Sequence, residues 1–115
     1  MAAHNELGKW GEEMAVEYLH DKRYIIRECD WKFGKRDIDI IALTPDETEV
    51  VFVEVKTRTT DEVAKPEDAV DMRKIRSIGV AANAYVKMCD VVEELRFDII
   101  TIVGTTRDNM RVEHI

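Results

Sequence analysis

The sequence predicts one α/β domain in which a central mixed β-sheet is flanked by two helices, in the element order αβββαββ. Three observations predict this architecture. Apolar residues recur at helical spacing in two segments, Ile and Val are concentrated in short runs outside those segments, and polar or Gly-containing turns separate the runs. The length of 115 residues is that of one ordinary domain. We therefore expect residues 1–115 to form a single domain.

The first helix is predicted over residues 5–22, with Asn5 as its N-cap. Its buried face is expected to contain the residues that recur at helical spacing, which are Leu7, Trp10, Gly11, Met14, Ala15 and Tyr18. Gly11 lies within that stripe. Because it has no side chain, we expect the helix to approach a neighbouring element closely at this point.

The next three elements are predicted to be strands, because Ile, Val and Phe are frequent in them. Their expected ranges are residues 24–31, 37–44 and 49–58. A turn at 32–36 is marked by Gly34 and by three cations. Pro45 opens a hairpin loop at 45–48.

The second half of the chain is predicted to contain a polar loop, a helix and two strands. The loop covers residues 59–65 and the helix residues 67–88. The apolar face of this helix is expected to consist of Ile75, Ile78, Gly79, Ala82, Tyr85 and Val86. The two strands cover residues 97–103 and 110–115.

The composition argues against several classes of protein. The formal net charge of −7 is unlike that of a nonspecific nucleic-acid coat, which is normally basic, but it does not exclude a nucleic-acid enzyme. No apolar run approaches the roughly 20 residues that span a bilayer, and the polar N-terminus differs from a signal peptide. We therefore expect a cytoplasmic protein with no membrane partner.

Cys29 and Cys89 are too far apart in sequence to suggest a zinc site or a disulfide framework, and we expect both to be reduced and partly buried.

The most informative feature is the hairpin between the second and third strands. Its short loop pairs Thr44 with Glu49, and counting back along both strands places Asp39 opposite Glu54. Alternation along the second strand is expected to put Asp37, Asp39 and Ile41 on one face and Ile38, Ile40 and Ala42 on the other.

Two facing carboxylates among Ile and Val residues indicate a cation site. Like charges in cross-strand positions destabilise a sheet, and burial increases the cost. Mg²⁺ removes the repulsion, because it prefers oxygen ligands and retains water molecules for chemistry. Lys56 lies two residues beyond Glu54 on the same face, at roughly 7 Å along the strand. A metal, its water and an ammonium group together suit phosphodiester hydrolysis.

A simpler interpretation of these residues stays open at this point. Charged residues on a strand face are usually solvated, and a Glu-x-Lys sequence by itself is common. The register of Asp39 against Glu54 and the apolar runs around them favour the cation site over the solvated face.

Six motifs are spread over nearly the whole chain: Gly11-Glu12-x-x-Ala15-x-x-Tyr18-Leu19, Asp37-Ile38-Asp39-Ile40-Ile41-Ala42, Val51-Phe52-Val53-Glu54-Val55-Lys56-Thr57-Arg58, Pro66-x-x-Ala69-Val70, Arg96-Phe97-Asp98 and His114-Ile115. Each motif is weak alone. Together they resemble the YraN family of small bacterial proteins, which in turn resembles a branch of the PD-(D/E)xK nuclease superfamily and is similar to archaeal Holliday-junction resolvases.

This resemblance implies a restriction-endonuclease-like core and assigns roles to four residues. It implies that Asp39 and Glu54 are ligands of Mg²⁺ or Mn²⁺ and that Lys56 is the catalytic lysine. Glu12 matches the acid on the first helix that completes the metal site or its water shell. The pattern departs from the family at Arg36-Asp37, where Gly-Glu is usual, and this puts any supporting contact of the shorter Asp37 in doubt.

The candidate nucleic-acid contacts are Arg36, Arg58, Arg73, Lys74 and Arg76. Each has a competing interpretation. Arg36 either alters the turn or contacts a phosphate, and Arg58 either holds a phosphate or forms a surface ion pair. The three cations of the second helix either line a groove or form its solvated face.

The sequence thus predicts a Mg²⁺- or Mn²⁺-dependent endonuclease that acts on DNA, including branched or structured DNA. No helix-turn-helix or zinc-finger pattern is present to read a base sequence, so structure-selective cleavage is expected. The alternative is a non-catalytic nucleic-acid-binding or protein-interaction domain that retains the nuclease fold. A homodimer is a further hypothesis, made by analogy with the resolvases.

Overall fold

The computed structural model of the chain describes residues 2–59 and 72–115. Within them the predicted order αβββαββ is confirmed. The elements are α1 (Ala2–Asp21), β1 (Ile25–Phe33), β2 (Arg36–Leu43), β3 (Glu49–Arg58), α2 (Met72–Met88), β4 (Glu94–Val103) and β5 (Arg111–His114). The predicted loop from residue 60 onward, the Pro66 motif and the predicted start of the second helix at residue 67 lie outside the described residues.

Several element boundaries differ from the predicted ones. Helix α1 begins at Ala2, so Asn5 lies inside the helix and is not its N-cap. The turn predicted at 32–36 contains only Gly34 and Lys35, because β1 continues to Phe33. Gly34 has a φ of 62°, a conformation that glycine adopts without strain and that closes a tight hairpin. Strand β4 begins three residues early, since Glu94 is already paired with Glu49 of β3.

The five strands form one mixed sheet in the order β1-β2-β3-β4-β5. Strands β3 and β4 are parallel, and the other neighbouring pairs are antiparallel. Helix α2 lies in the chain between the two parallel strands, where a crossover connection is required. The sheet therefore has β3 at its centre, and this strand carries Glu54 and Lys56.

Apolar side chains form a separate core on each face of the sheet. One core packs under α1 and consists of Met14, Ala15, Leu19, Ile40, Ala42, Val51, Val53, Val55, Ile100 and Ile102. The other packs under α2 and consists of Ile38, Ile41, Leu43, Val50, Phe52, Ile78, Ala81 and Tyr85. Strands covered on both faces explain the near-continuous Ile and Val runs of the sequence.

Gly11 brings α1 into close contact with β3, as predicted. A Cβ atom added at Gly11 would lie 2.8 Å from Cγ2 of Thr57 and 2.9 Å from its Cβ, which no side chain can accommodate. Helix α1 is therefore held against the end of β3, and the residue that follows Gly11 is Glu12.

In the described residues, no helix has the length and apolar character needed to cross a membrane. Cys29 and Cys89 are both free thiols. Both are exposed, so the prediction that they are partly buried was wrong.

Candidate functional site

The candidate site lies where β2 and β3 separate. The two strands keep the predicted register as far as the pair Ile40 and Val53, and the ladder ends there. One step further, the same register would set Asp39 against Glu54. The carboxylates thus lie just beyond the last paired residues, where side chains replace the regular backbone pairing.

The amide of Val55 shows how the separation is accommodated. Hydrogen-bonded pairs alternate along an antiparallel ladder, and Thr44 donates to Glu49 at its closed end. Continued regularly, this alternation would present the Val55 N–H to the carbonyl of Ile38. Instead, the Val55 N–H donates to Oδ2 of Asp39 at 2.8 Å. The side chain of Asp39 is thereby fixed beside β3.

The predicted alternation along β2 is wrong at Ile38. Ile38 belongs to the core under α2 together with Ile41, whereas Ile40 belongs to the core under α1. The alternation of side chains between the two faces therefore shifts by one residue at Asp39. The opposite position on β1 is also irregular, because Asp30 has a φ of 50°. Such local kinks in a strand redirect a side chain. Here the carboxylate of Asp39 is directed toward β3, where it accepts the hydrogen bond from Val55.

Asp39 lies in an environment that opposes its ionisation. Burial and the nearby carboxylate of Glu54 raise the pKa of Asp39 to about 7, although the hydrogen bond from the Val55 amide acts in the opposite direction. The carboxyl group of Glu54 is thus a close neighbour of that of Asp39. Two acidic groups this close need either a shared proton or a cation.

Glu54 is buried, with a relative exposure of 3%. Its Oε2 atom lies 3.4 Å from Nζ of Lys56 and 3.5 Å from Nζ of Lys74. Lys56 comes from the same face of β3, as predicted, whereas Lys74 reaches the site from α2. The buried carboxylate therefore has two ammonium groups on one of its oxygens and a second carboxyl group beside it.

Lys74 also lies 3.9 Å from Oδ1 of Asp37. Burial lowers the pKa of Lys74, but the carboxylates of Glu54, Asp37 and Asp39 outweigh that effect, and the net result is a raised pKa. Lys74 is therefore held protonated by the acidic site. Asp37, whose role the sequence left in doubt, helps to hold α2 over β2 through this cation.

Glu12 faces the same acidic region from α1. It lines a cleft of about 880 Å³ together with Asp39. Burial raises the pKa of Glu12, and the carboxylates of Asp30, Asp37 and Glu54 raise it further. Helix α1 thus directs this third acid toward the end of the sheet, as the position of Gly11 predicted.

The donor set fits a hard divalent cation. Asp39 and Glu54 supply neighbouring carboxylate oxygens, and burial together with the charge of Glu54 raises the pKa of Asp39. Among residues 2–59 and 72–115, no three His, Cys, Asp or Glu side chains are already arranged as a metal-binding group. Mg²⁺ does not need such a group, because it commonly binds through one or two carboxylates and completes its shell with water and phosphate oxygens.

The remaining predicted nucleic-acid contacts are four arginines. The exposed side chains are those of Arg36, Arg73 and Arg76. Arg58 is partly buried, and its Nε atom is buried with no hydrogen-bond partner among the described residues. Within that same part of the chain, none of these four forms an ion pair with Asp39 or Glu54. Their role in nucleic-acid binding stays a prediction.

A second polar cluster was not predicted from the sequence. Asp98 of β4 is buried, with a relative exposure of 4%. Arg96 donates to both of its oxygens, from Nε at 2.9 Å and from an Nη atom at 2.9 Å. Nε2 of His114 lies 2.6 Å from Oδ2 of Asp98. The spacing of Arg96 and Asp98 could have indicated their contact, since residues two apart on a strand share a face.

The same cluster joins the last strand to α1 and to Tyr24, the residue just before β1. Nδ1 of His114 lies 3.1 Å from the hydroxyl of Tyr18, and Arg96 donates to the hydroxyl of Tyr24 at 2.8 Å. Arg96 also contacts Glu49 at 3.2 Å. No local pattern in the sequence shows that these distant residues meet.

Comparisons with known proteins identify one family. The profile described as "Uncharacterised protein family UPF0102" matches residues 11–102. A UPF0102 protein of Bacteroides thetaiotaomicron is 48% identical over 115 residues, which is all of this chain and 93% of the relative. A UPF0102 protein of Bacteroides fragilis is 47% identical with the same coverage. One from Porphyromonas gingivalis is 43% identical over 99% of this chain and 84% of its own length.

Proposed function

The chain belongs to the UPF0102 family, which is the YraN family indicated by its motifs, and we propose that it is a divalent-metal-dependent endonuclease. Its substrate is DNA, in particular branched or otherwise structured DNA. Mg²⁺ or Mn²⁺ is the cofactor. The names of the relatives state no activity, so the proposal depends on the chemistry of the site.

One observation carries the proposal, which is the close approach of the carboxyl groups of Asp39 and Glu54. A sheet interior normally excludes such a pair, because both the like charges and the loss of hydration oppose it. Glu54 is nevertheless buried, and Asp39 is fixed beside it by the Val55 amide. A carboxylate pair that is held together despite repulsion and lost hydration is expected where a cation binds.

The residues of the site divide the chemistry of phosphodiester hydrolysis among them. Asp39 and Glu54 would hold the divalent cation, which supplies an activated water molecule and neutralises charge on the phosphate. Lys56 lies beside Glu54 and presents an ammonium group to the negative charge that develops on the phosphate oxygens. Glu12 lines the adjoining cleft, where its raised pKa suits it to accept a proton from water.

The choice of DNA is supported by the resemblance to resolvases and by the cations near the site. Lys56 and Lys74 lie at the acidic pair, while Arg73 and Arg76 are exposed on α2. Cations distributed in this way can contact the phosphates of a backbone without reading bases. Structure-selective cleavage is therefore proposed in preference to sequence-specific restriction.

The test is a cleavage panel. Linear, nicked, flapped and four-way DNA are incubated with the purified protein in Mg²⁺, in Mn²⁺ and in chelator. We expect metal-dependent cleavage that is fastest on a branched substrate and is lost in Glu54→Gln. Glu94→Gln is the matched control, because Glu94 is exposed on β4, and it should cleave as the wild type does.

Cleavage that persists in Glu54→Gln would contradict the proposal and would indicate a contaminating nuclease. DNA binding without cleavage of any substrate in either metal would favour the alternative, a binding domain that retains the fold. The net charge of −7 favours the other form of this alternative, a protein-interaction domain, since it weakens nonspecific attraction to DNA.

A further inference from the structure

Lys74 occupies an unusual position for a cation on a helix surface. Its ammonium group lies 3.5 Å from Oε2 of the buried Glu54 and 3.9 Å from Oδ1 of Asp37. Its side chain is still 36% exposed. Lys74 thus connects the acidic pair to solvent, and it comes from a different element than the carboxylates that it contacts.

We propose that Lys74 is an exchangeable cation, which neutralises Glu54 when no metal is bound and turns to a backbone phosphate of the substrate when Glu54 takes the metal. This inference rests on the proposed function, because it requires a metal at Glu54. The sequence led us to expect only a nucleic-acid contact at Lys74. The inference adds that this contact forms when the metal releases Lys74 from Glu54.

The contacts at Glu54 explain why Lys74 would move and Lys56 would stay. Both ammonium groups lie on the same oxygen, Oε2. A divalent cation at that carboxylate would repel both of them, since two like charges about 4 Å apart interact by several kcal/mol at the effective dielectric constant of a protein surface. Lys56 belongs to the central strand, whereas Lys74 comes from the helix that covers the sheet and is somewhat more exposed, so its ammonium group has the more open path to solvent.

The first part of the test measures metal binding without DNA. Mn²⁺ and Mg²⁺ are titrated into the wild type, Lys74→Met, Lys74→Arg and Arg73→Met, with thermal unfolding as the readout. Lys74→Met should bind the metal roughly threefold to thirtyfold more tightly, because a competing ion pair is removed. Lys74→Arg should restore the wild-type affinity. Arg73→Met removes a neighbouring exposed cation of α2 and should change the affinity by less than about twofold.

The second part measures DNA binding in chelator and in Ca²⁺, which replaces the catalytic metal. In chelator, Lys74 is engaged by Glu54, so Lys74→Met should bind four-way DNA as the wild type does. In Ca²⁺, the variant should bind roughly threefold to tenfold more weakly, and the slope of log affinity against log salt should fall by about 0.9, the value for one phosphate contact.

The outcomes separate this inference from the proposed function. If metal leaves the unfolding temperature of every variant unchanged, the metal site itself is wrong and the inference falls with it. If the wild type binds metal and Lys74→Met binds it equally or more weakly, only the exchange is overturned. Equal weakening of DNA binding in chelator and in Ca²⁺ would make Lys74 a simple docking residue and would also overturn the exchange.

Discussion

Two regions of this protein bury a carboxylate in the sheet, and they treat it in opposite ways. Asp98 is surrounded by its own partners, because Arg96 binds both oxygens and His114 contacts one of them. Asp39 and Glu54 instead face each other, and burial together with Glu54 raises the pKa of Asp39 to about 7. The first region, which we call the closed network, consists of Arg96, Asp98, His114, Tyr18, Tyr24 and Glu49. The second, the acidic pair, consists of Asp39 and Glu54.

The two regions therefore have different roles, since the closed network stabilises the fold and the acidic pair is suited to bind a ligand. A buried charge with a complete set of partners holds the structure together, and removing one partner is costly. The closed network joins β4, β5 and α1 to Glu49 at the start of β3 and to Tyr24 just before β1, so its role is to fix the elements that frame the sheet. A buried charge that faces another like charge weakens the structure unless a further cation binds. The acidic pair is therefore the region in which a ligand is expected.

The largest effect is expected for Lys56→Met in a cleavage assay. The variant keeps much of the side-chain stem but loses the ammonium group that is to stabilise the transition state. Cleavage should fall by roughly two to four orders of magnitude, as for the loss of another preorganised electrostatic donor. Metal binding should survive, because Asp39 and Glu54 remain and a repelling cation has gone.

The control for this assay lies in the closed network. Asp98→Asn, assayed at a temperature where it is folded, should cleave within about threefold of the wild type, because Asp98 does not contact the acidic pair. An unchanged rate in Lys56→Met, or an equal loss in both variants, would contradict the division between the two regions.

The next effect concerns stability, and here the closed network should dominate. Asp98→Asn leaves Arg96 without its bidentate partner, and the free energy of unfolding should fall by about 2–4 kcal/mol in chemical denaturation. Glu94→Gln, at the exposed start of the same strand, should change it by less than about 0.5 kcal/mol. A loss below about 1 kcal/mol in Asp98→Asn would show that the network is dispensable for the fold.

The acidic pair should respond to Asn substitution with the opposite sign. The pKa of Asp39 is about 7 in the folded protein and near 4 in the unfolded chain, so the folded state binds this proton more tightly. In chelator, the contribution of Asp39 to stability should therefore fall as the pH rises from about 4 to about 7, and the full cost should remain above that range.

Asp39→Asn removes this titration and keeps an oxygen for the Val55 amide. Relative to the wild type, it should be similar at pH 4 and more stable by on the order of 2 kcal/mol at pH 8. Denaturation curves of both proteins across this pH range provide the measurement. Glu94→Gln, at an exposed position, is the control and should show no such difference. A variant that is less stable than the wild type at pH 8 would show that the acidic pair is not strained.

The sequence was sufficient to predict the fold and the acidic pair, because both depend on local patterns. The run from Glu49 to Arg58 is bounded by turn residues, and the short loop at 45–48 fixes the register that brings Asp39 beside Glu54. The change in alternation at Asp39 could not be predicted, because it accompanies an irregular backbone conformation at Asp30 on the neighbouring strand. A non-glycine residue with positive φ leaves no reliable pattern in a single sequence.

Contacts between distant elements were the other part that the sequence did not show. Lys74 was predicted to contact nucleic acid or solvent, but the packing of α2 brings its ammonium group to Glu54. Likewise, His114 meets Asp98 and Tyr18 only because β5 pairs with β4 beside α1. Such contacts depend on how helices dock on the sheet, which periodicity alone does not specify.

The most direct test of the central claim is a metal titration of stability at pH 8. Mg²⁺ or Mn²⁺ is added to the wild type, Glu54→Gln and Asp98→Asn, and the free energy of unfolding is measured at each concentration. The account predicts a rise of about 1.4 kcal/mol in the wild type at ten times the Kd, by mass action. It predicts the same increment from a lower starting value in Asp98→Asn, and none in Glu54→Gln. A flat titration of the wild type, or an equal rise in Glu54→Gln, would contradict the claim that the acidic pair binds a metal.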